Sequence, residues 1–457
     1  MGEGKFRAPE GIHGCKVLKY SEKLIKIISF AVCPLVFSVF PAIVPMGNTT
    51  KGGCMAVTEV QTESYFSRLG NSFKGIGGGL LLFLIAFPLL FWNEGRAVKR
   101  AKALEIGAGA VISVQADKVD PANEGKLVHV TAKADTKDVL TDPLFNVSST
   151  AIRLERRVEM YQWKQKESSK TEKQLGGGTK KTTVYTYEKV WSDKLINSAD
   201  FKETGHENPE FPLESEKLYA KHVSLGDFFL NDALIERIGA SRRLPVAADY
   251  KLPAKLSGKT DASYVYVSRK SFRTSLPSSE LTVDNAIDAV LPEVQIGDLR
   301  VCWYAVAPHD VSIVARQTGK TFSAYPVGKE SILLLSDSVE SAEAMFQSAQ
   351  SANSMMTWIL RAAGLLMMYI GLSCMFRPLS MLMDVIPFLG DLIGAGVSLV
   401  SFLIALPCTL VTIAVAWIYY RPLLGIGLFV VAAALIVFLF RKKAESHKRR
   451  TAASAAA

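Results

Sequence analysis

The residues best equipped for chemistry are few and stand apart. Six histidines, His13, His129, His206, His222, His309 and His447, are scattered singly, with no H-E-x-x-H and no C-x-x-C beside any of them. His206-Glu207 and His309-Asp310 are adjacent pairs, and neighbours in a strand point to opposite faces, so neither pair can share a proton. His129 alternates with apolar residues, as a hydrogen-bonded structural histidine does. No G-x-S-x-G elbow or G-x-G-x-x-G turn occurs. Gly176-Gly177-Gly178 lacks the P-loop spacing and a helix behind it, and reads as a flexible linker. These residues assign no catalytic site, no cofactor and no metal. One modification site is expected at Asn146, which opens the sequon Asn146-Val147-Ser148.

Charge points elsewhere than nucleic acid. Of the net +10 on 457 residues, residues 1–55 carry +4 and the run 441–450 carries +5, which leaves one unit for everything between. A nucleic-acid surface needs basic residues gathered on one face, and the middle shows no such run. The basic tail directly follows an apolar run, where the positive-inside rule accounts for it.

Four apolar runs organise the chain: 75–92, 357–376, 392–420 and 422–440. A bilayer core of roughly 30 Å takes about 20 residues of helix, so each can span. The tail 441–457 then lies in the cytosol, and counting back puts 55–74 there too. The domain between, 93–355, faces the lumen or the exterior. Arg96, Lys99, Arg100 and Lys102 oppose that count, but large domains translocate regardless of charge. Of six cysteines only Cys302 falls in this domain, so it holds no internal disulfide. Leu24 to Val44 is a further apolar run, readable as a signal peptide, a signal anchor or a fifth span. Residues 1–54 are taken as an extension outside the functional core.

Within 93–355 the pattern is mostly β. Residues 126–134 and 156–164 alternate apolar and polar, and 182–192 is rich in β-branched and aromatic residues. Further strands are expected at 264–269, 299–306, 311–316 and 331–335. The charged stretch KESSKTEKQLGGGTKK (166–181) is expected to be a long mobile loop. Helix is expected at 225–238 behind Ser224 as N-cap, and from Ser338 into the second span. Residues 377–391 are amphipathic enough to lie in the interface. Arg361 stands four residues into its span and is expected to snorkel out. Gly394, Ala395, Gly396 and Ser398 offer a face for close helix packing. The expected fold is an α+β membrane protein, with a mainly β lumenal domain between one N-terminal and three C-terminal transmembrane helices.

An ordered set of segments carries a resemblance. FPLLFWNEGRAVKRAK (87–102), ANEGKLVHV (122–130), RRVEMYQW (156–163), the strand with Tyr185, Tyr187 and Trp191, and HENP (206–209) come first. IGDLRVCWYA (296–305), VSIVARQTG (311–319), MMTWILRAAG (355–364) and YYRPL (419–423) follow. In this order they resemble the transmembrane protein 43, or LUMA, family, over residues 67–440. The resemblance implies a non-enzymatic, self-associating protein of the endoplasmic reticulum and inner nuclear membrane that helps organise the nuclear envelope. It implies membrane lipid, a second copy and, in animal cells, lamins and emerin as partners. It implies no functional residues; Asn93, Glu94, Gly95, Arg96 and Trp191 read as structural, the first four shaping the exit from the first span. The alternative is a channel, or a channel regulator, built on the last three spans.

Overall fold

The computed structural model describes residues 57–272 and 294–422. The run 1–54, with its apolar stretch Leu24 to Val44, the expected span 422–440 beyond its first residue, and the tail 441–457 lie outside the described residues.

Alternating sequence builds two sheets. Strands β1 (Val57–Glu63), β2 (Leu127–Asp135), β3 (Arg153–Lys173), β4 (Thr179–Ser192), β5 (Val265–Val267), β6 (Leu299–Val306) and β7 (His309–Thr318) are its main members. One sheet runs β1-β4-β3-β6-β5 and then Gly258–Thr260; the other centres on the antiparallel pair β2–β7, in register from His309 opposite Ala134 to Arg316 opposite Leu127. Period-two alternation divides β2 between two cores. Val128 and Val130 face a cluster with Leu225, Phe228, Ile313 and Phe322, while Leu127 faces the opposite way, onto the helices. A third cluster surrounds Trp303 and Phe145, both fully buried, whose rings meet edge to face at 5.3 Å. Burying each such side chain contributes about 1.5–3 kcal/mol.

Three long helices complete the described fold: α1 (Tyr65–Ala110), α2 (Ala342–Met383) and α3 (Pro387–Tyr420). Each is long and apolar enough to cross a membrane. The expected spans 75–92 and 357–376 are only the middles of α1 and α2, because both helices continue past the apolar run into the β domain. There Leu104, Met345 and Phe346 pack with Leu127, Val314 and Ile332. Ser64 and Ser341 cap α1 and α2, each accepting a hydrogen bond from the amide three residues on. Glycine sets the crossing of α1 on α2. A Cβ on Gly79 would stand 2.7 Å from the Gly371 carbonyl, whereas nothing approaches Gly396 within 4 Å.

Several expectations change. The stretch 166–181 is not a long mobile loop: β3 and β4 pair without a break from Met160 opposite Ser192 to Lys173 opposite Thr179, and only 174–178 turn. Its charges are compatible with strand because they pair across it, Lys166 with Glu188 at 2.5 Å, and because β1 adds a third strand. The expected helix 225–238 shrinks to one turn, Asp232–Ile235, capped by Asn231 rather than Ser224. Ser224–Leu225 instead joins β2, and Gly226, at φ +62°, turns the chain against the Ala116 carbonyl. Residues 331–335 divide between two short strands, Glu330–Ile332 and Leu334–Ser336. Residues 377–391 hold the end of α2, a short turn and the start of α3.

Candidate functional site

Helical spacing brings the buried ionisable residues of the bundle into two clusters, one at each end. At the end nearer the β domain, Glu94 lies one half-turn beyond Trp92 on α1 and Arg361 nearly one turn beyond Trp358 on α2. Antiparallel packing places them face to face. Arg361 donates to Glu94 through Nε at 2.7 Å and Nη2 at 2.9 Å, and Trp417 of α3 donates its indole N–H to the same carboxylate at 2.8 Å. The Glu94 side chain is 3% exposed and that of Arg361 15%. The guanidinium also lies over two indole rings, 4.7 Å from the Trp358 centroid and 5.6 Å from that of Trp417. Arg361, expected to snorkel, reaches a carboxylate just beyond the end of the first apolar run and forms a bidentate pair with it.

Adjacent residues extend this cluster. Asn93, fully buried, donates to the Thr357 carbonyl at 3.1 Å, and Arg96 reaches Asn353 at 3.1 Å and the Thr357 hydroxyl at 3.3 Å. Asn353 donates back to the Ala97 carbonyl at 3.0 Å. Gly95 leaves room for the Tyr420 ring, which a Cβ there would meet at 2.5 Å. All of Asn93-Glu94-Gly95-Arg96 is therefore spent on joining three helices.

The second cluster closes the opposite end. Arg68, in the first turn of α1, donates to Asp384 at 2.6 Å and to the Gly177 carbonyl at the tip of the β3–β4 hairpin. Lys173, the last residue of β3, bridges Asp384 and Asp391, each at 2.7 Å. Burial lowers the Lys173 pKa, but the two carboxylates outweigh it and hold the ammonium above its usual value. Asp384 is 3% exposed, so its charge is matched on both oxygens. Gly177, at φ +81°, takes a conformation that favours glycine and packs so closely on Tyr65 that a Cβ would fall 2.4 Å from the ring. The glycine run is a docking turn. A cleft of about 90 Å³ lies beside it, lined by Glu63, Arg68, Asn71, Ser72, Arg377 and Met381; pockets for organic ligands run to roughly 300 Å³ and more.

The four histidines among the described residues go to structural contacts. His129 bonds the Ser113 hydroxyl at 3.2 Å through Nδ1 and the Glu340 carbonyl at 2.9 Å through Nε2. His206 stacks on Tyr187 with centroids 4.1 Å apart, and His222 lies 3.5 Å from Asp138. His309 pairs with Asp337 at 3.8 Å, not with neighbouring Asp310, and that carboxylate raises its pKa against the opposing effect of burial. In the β domain Asp142, 2% exposed, accepts from Arg156 and Trp303 at 2.9 Å each. Burial, and after it the Asp142 charge, push the Tyr250 hydroxyl up to about 12. Among the described residues no three His, Cys, Asp or Glu side chains gather to hold a metal. Asn146 is exposed at the turn between Val139–Thr141 and Ser148–Thr150, at φ +54°.

Sequence reasoning missed both clusters as clusters. Glu94 and Arg361 are 267 residues apart, and the one available signal was that each follows a tryptophan at the same end of its span. Arg68 and Asp384 carried no local signal at all.

Comparison with known proteins agrees with the ordered segments. The family model described as transmembrane protein 43 matches residues 160–422. Mouse transmembrane protein 43 is 36% identical over 384 residues, covering 80% of this chain and 90% of that protein. The human protein of the same name is 35% identical over 401 residues, 83% of this chain and 93% of its own. A Drosophila melanogaster homolog is 28% identical over 380 residues. No solved structure matches. The chain belongs to the transmembrane protein 43 family.

Proposed function

We propose that this protein is a non-enzymatic, self-associating, multi-pass scaffold of the endoplasmic reticulum and inner nuclear membrane that helps organise the nuclear envelope. Its β domain faces the lumen and its basic tail the cytosol. One observation carries the reading. The buried charged groups Arg68, Glu94 and Asp384 are consumed, Glu94 with Arg361, in joining the bundle's own elements, while α1 and α2 run unbroken from the apolar level into the β domain. Such a body transmits position rather than turning over a substrate. Its outward surface at bilayer level is apolar (Leu81, Leu84, Leu399, Leu403 and Val411 are exposed), suited to lipid and to a second copy. Lamins and emerin are the further partners where the cell has them.

Two differently tagged copies expressed together test this. Co-purification from membranes, with both tags at the nuclear rim and a misshapen envelope on depletion, is the expected result. Absence of co-purification after crosslinking in intact membranes would overturn self-association. The second reading, a channel or channel regulator on the C-terminal helices, draws on the charged strand ribbon beside the bundle; a selective conductance in liposomes would replace the scaffold by it.

A further inference from the structure

The β3–β4 hairpin has a consequence for the membrane that goes beyond the scaffold reading but rests on its premise that the bundle crosses the bilayer. The β domain is fixed to α1 near its C-terminal end, where Arg100 donates to the Ser331 carbonyl and Gly107 packs on Ile332. The hairpin tip is fixed near the N-terminal end, at Arg68. Those anchors are 39 residues of helix apart from Arg68 to Gly107, about 58 Å. The apolar segment 75–92 lies wholly between them. From Met160, where β3 leaves β6, to Lys173 the strand covers 13 residues, about 43 Å. The helix from Arg68 to Gly95 covers about 40 Å. The hairpin is long enough to pass the whole apolar level, and its tip contacts require that it does.

The sides of the membrane follow from contact. β1 precedes the apolar segment of α1 and pairs with β4 over seven residues, Val57 opposite Tyr185 to Glu63 opposite Thr179. Asp384 and Asp391, after the apolar segment of α2, hold Lys173. Groups in direct hydrogen-bond contact lie at the same level of the bilayer. The tip therefore lies with the Glu63 end of β1 and the α2–α3 turn, although the domain it grows from lies at the other end of the bundle. Lys164, Lys166, Glu167 and Lys170, exposed along β3 between the two ends, exclude lipid as its surroundings.

We propose that the β3–β4 hairpin, with β1 paired along the half next to its tip, crosses the level of the bilayer in water beside the helix bundle and ties the β domain to the opposite membrane face.

Single cysteines in the full chain, in sealed microsomes, test it with a membrane-impermeant sulfonated maleimide applied before and after permeabilisation. The unaltered chain supplies the background. Gly70→Cys reports the N-terminal end of α1, where a Cβ meets nothing within 4 Å. Leu175→Cys reports the tip, where the residue is 89% exposed. Ser169→Cys reports the ribbon between, and Lys118→Cys the exposed body of the domain. The expected result is that Leu175→Cys labels from the same side as Gly70→Cys, Lys118→Cys from the opposite side, and Ser169→Cys without detergent. If Leu175→Cys labels with Lys118→Cys and against Gly70→Cys, the crossing ribbon is overturned while the crossing bundle stands. If all three label from one side, both fail. If Ser169→Cys labels only in detergent, the water-filled flank is overturned.

Discussion

Replacing Arg361 with methionine would leave the Glu94 carboxylate buried, with only the Trp417 indole to meet it. Removing one partner of a buried, hydrogen-bonded ion pair costs about 3–5 kcal/mol, mostly because the remaining charge is uncompensated. Here the side chains are 3% and 15% exposed and the pair is bidentate, so the full range applies. At about 2–4 °C per kcal/mol for a sizeable domain, the melting temperature should fall by roughly 6 °C or more. Glu94→Leu should do the same, stranding the guanidinium between Trp358 and Trp417. The double variant Glu94→Leu/Arg361→Met replaces the pair with apolar side chains of similar length and should recover most of the loss, because no charge is then stranded. The assay is thermal unfolding in mild detergent, read by intrinsic tryptophan fluorescence, with Trp417→Phe as a third corner. Arg361→Met melting within about 1 °C of the parent, or a double variant that falls by the sum of the singles, would refute the lock.

Three further outcomes follow from other contacts. Asp384→Asn removes the charge that Arg68 and Lys173 share, and should release the hairpin tip, seen as faster limited proteolysis at 174–178; an unchanged cleavage rate counts against the docked tip. His309 is held above its ordinary pKa by Asp337, so its contribution is fully present below the unfolded value of about 6.5 and is lost as pH rises through the higher folded value. His309→Gln should therefore lower stability at pH 5.5 more than at pH 8, by under about 1 kcal/mol; equal loss at both would remove this source. Asn146 is exposed in an open turn, so if the β domain is lumenal, endoglycosidase treatment should shift the mobility of the parent and not of Asn146→Gln, and no shift in either would count against a glycosylated lumenal domain.

Particular residues show where sequence stops. Strands 126–134 and 156–164 were legible because their alternation of apolar and polar residues is local, and β2 and β3 form there. The stretch 166–173 was not, since nothing in KESSKTEK favours strand. Its conformation comes from eight residue pairs with β4, most of them steadied by β1 from before the first helix. Residues 225–238 mislead in the opposite way. Their apolar spacing suits a helix, but Gly226 breaks it and the edge of β2 offers Leu225 a ladder.

The sequence by itself determined that apolar helices bracket a mainly β domain, that no familiar catalytic or metal spacing is present, and which family the chain belongs to. Those depend on composition, period and order, which are properties of short windows. Only the tertiary structure decided what the charges do. Glu94 with Arg361, and Arg68 with Asp384, meet because two long helices pack antiparallel, and a window of a few residues holds no record of a partner more than 260 positions away. The same packing decided that the hairpin ends where the helices turn, so a run of Lys and Glu that reads as loop becomes a strand reaching the far end of the bundle.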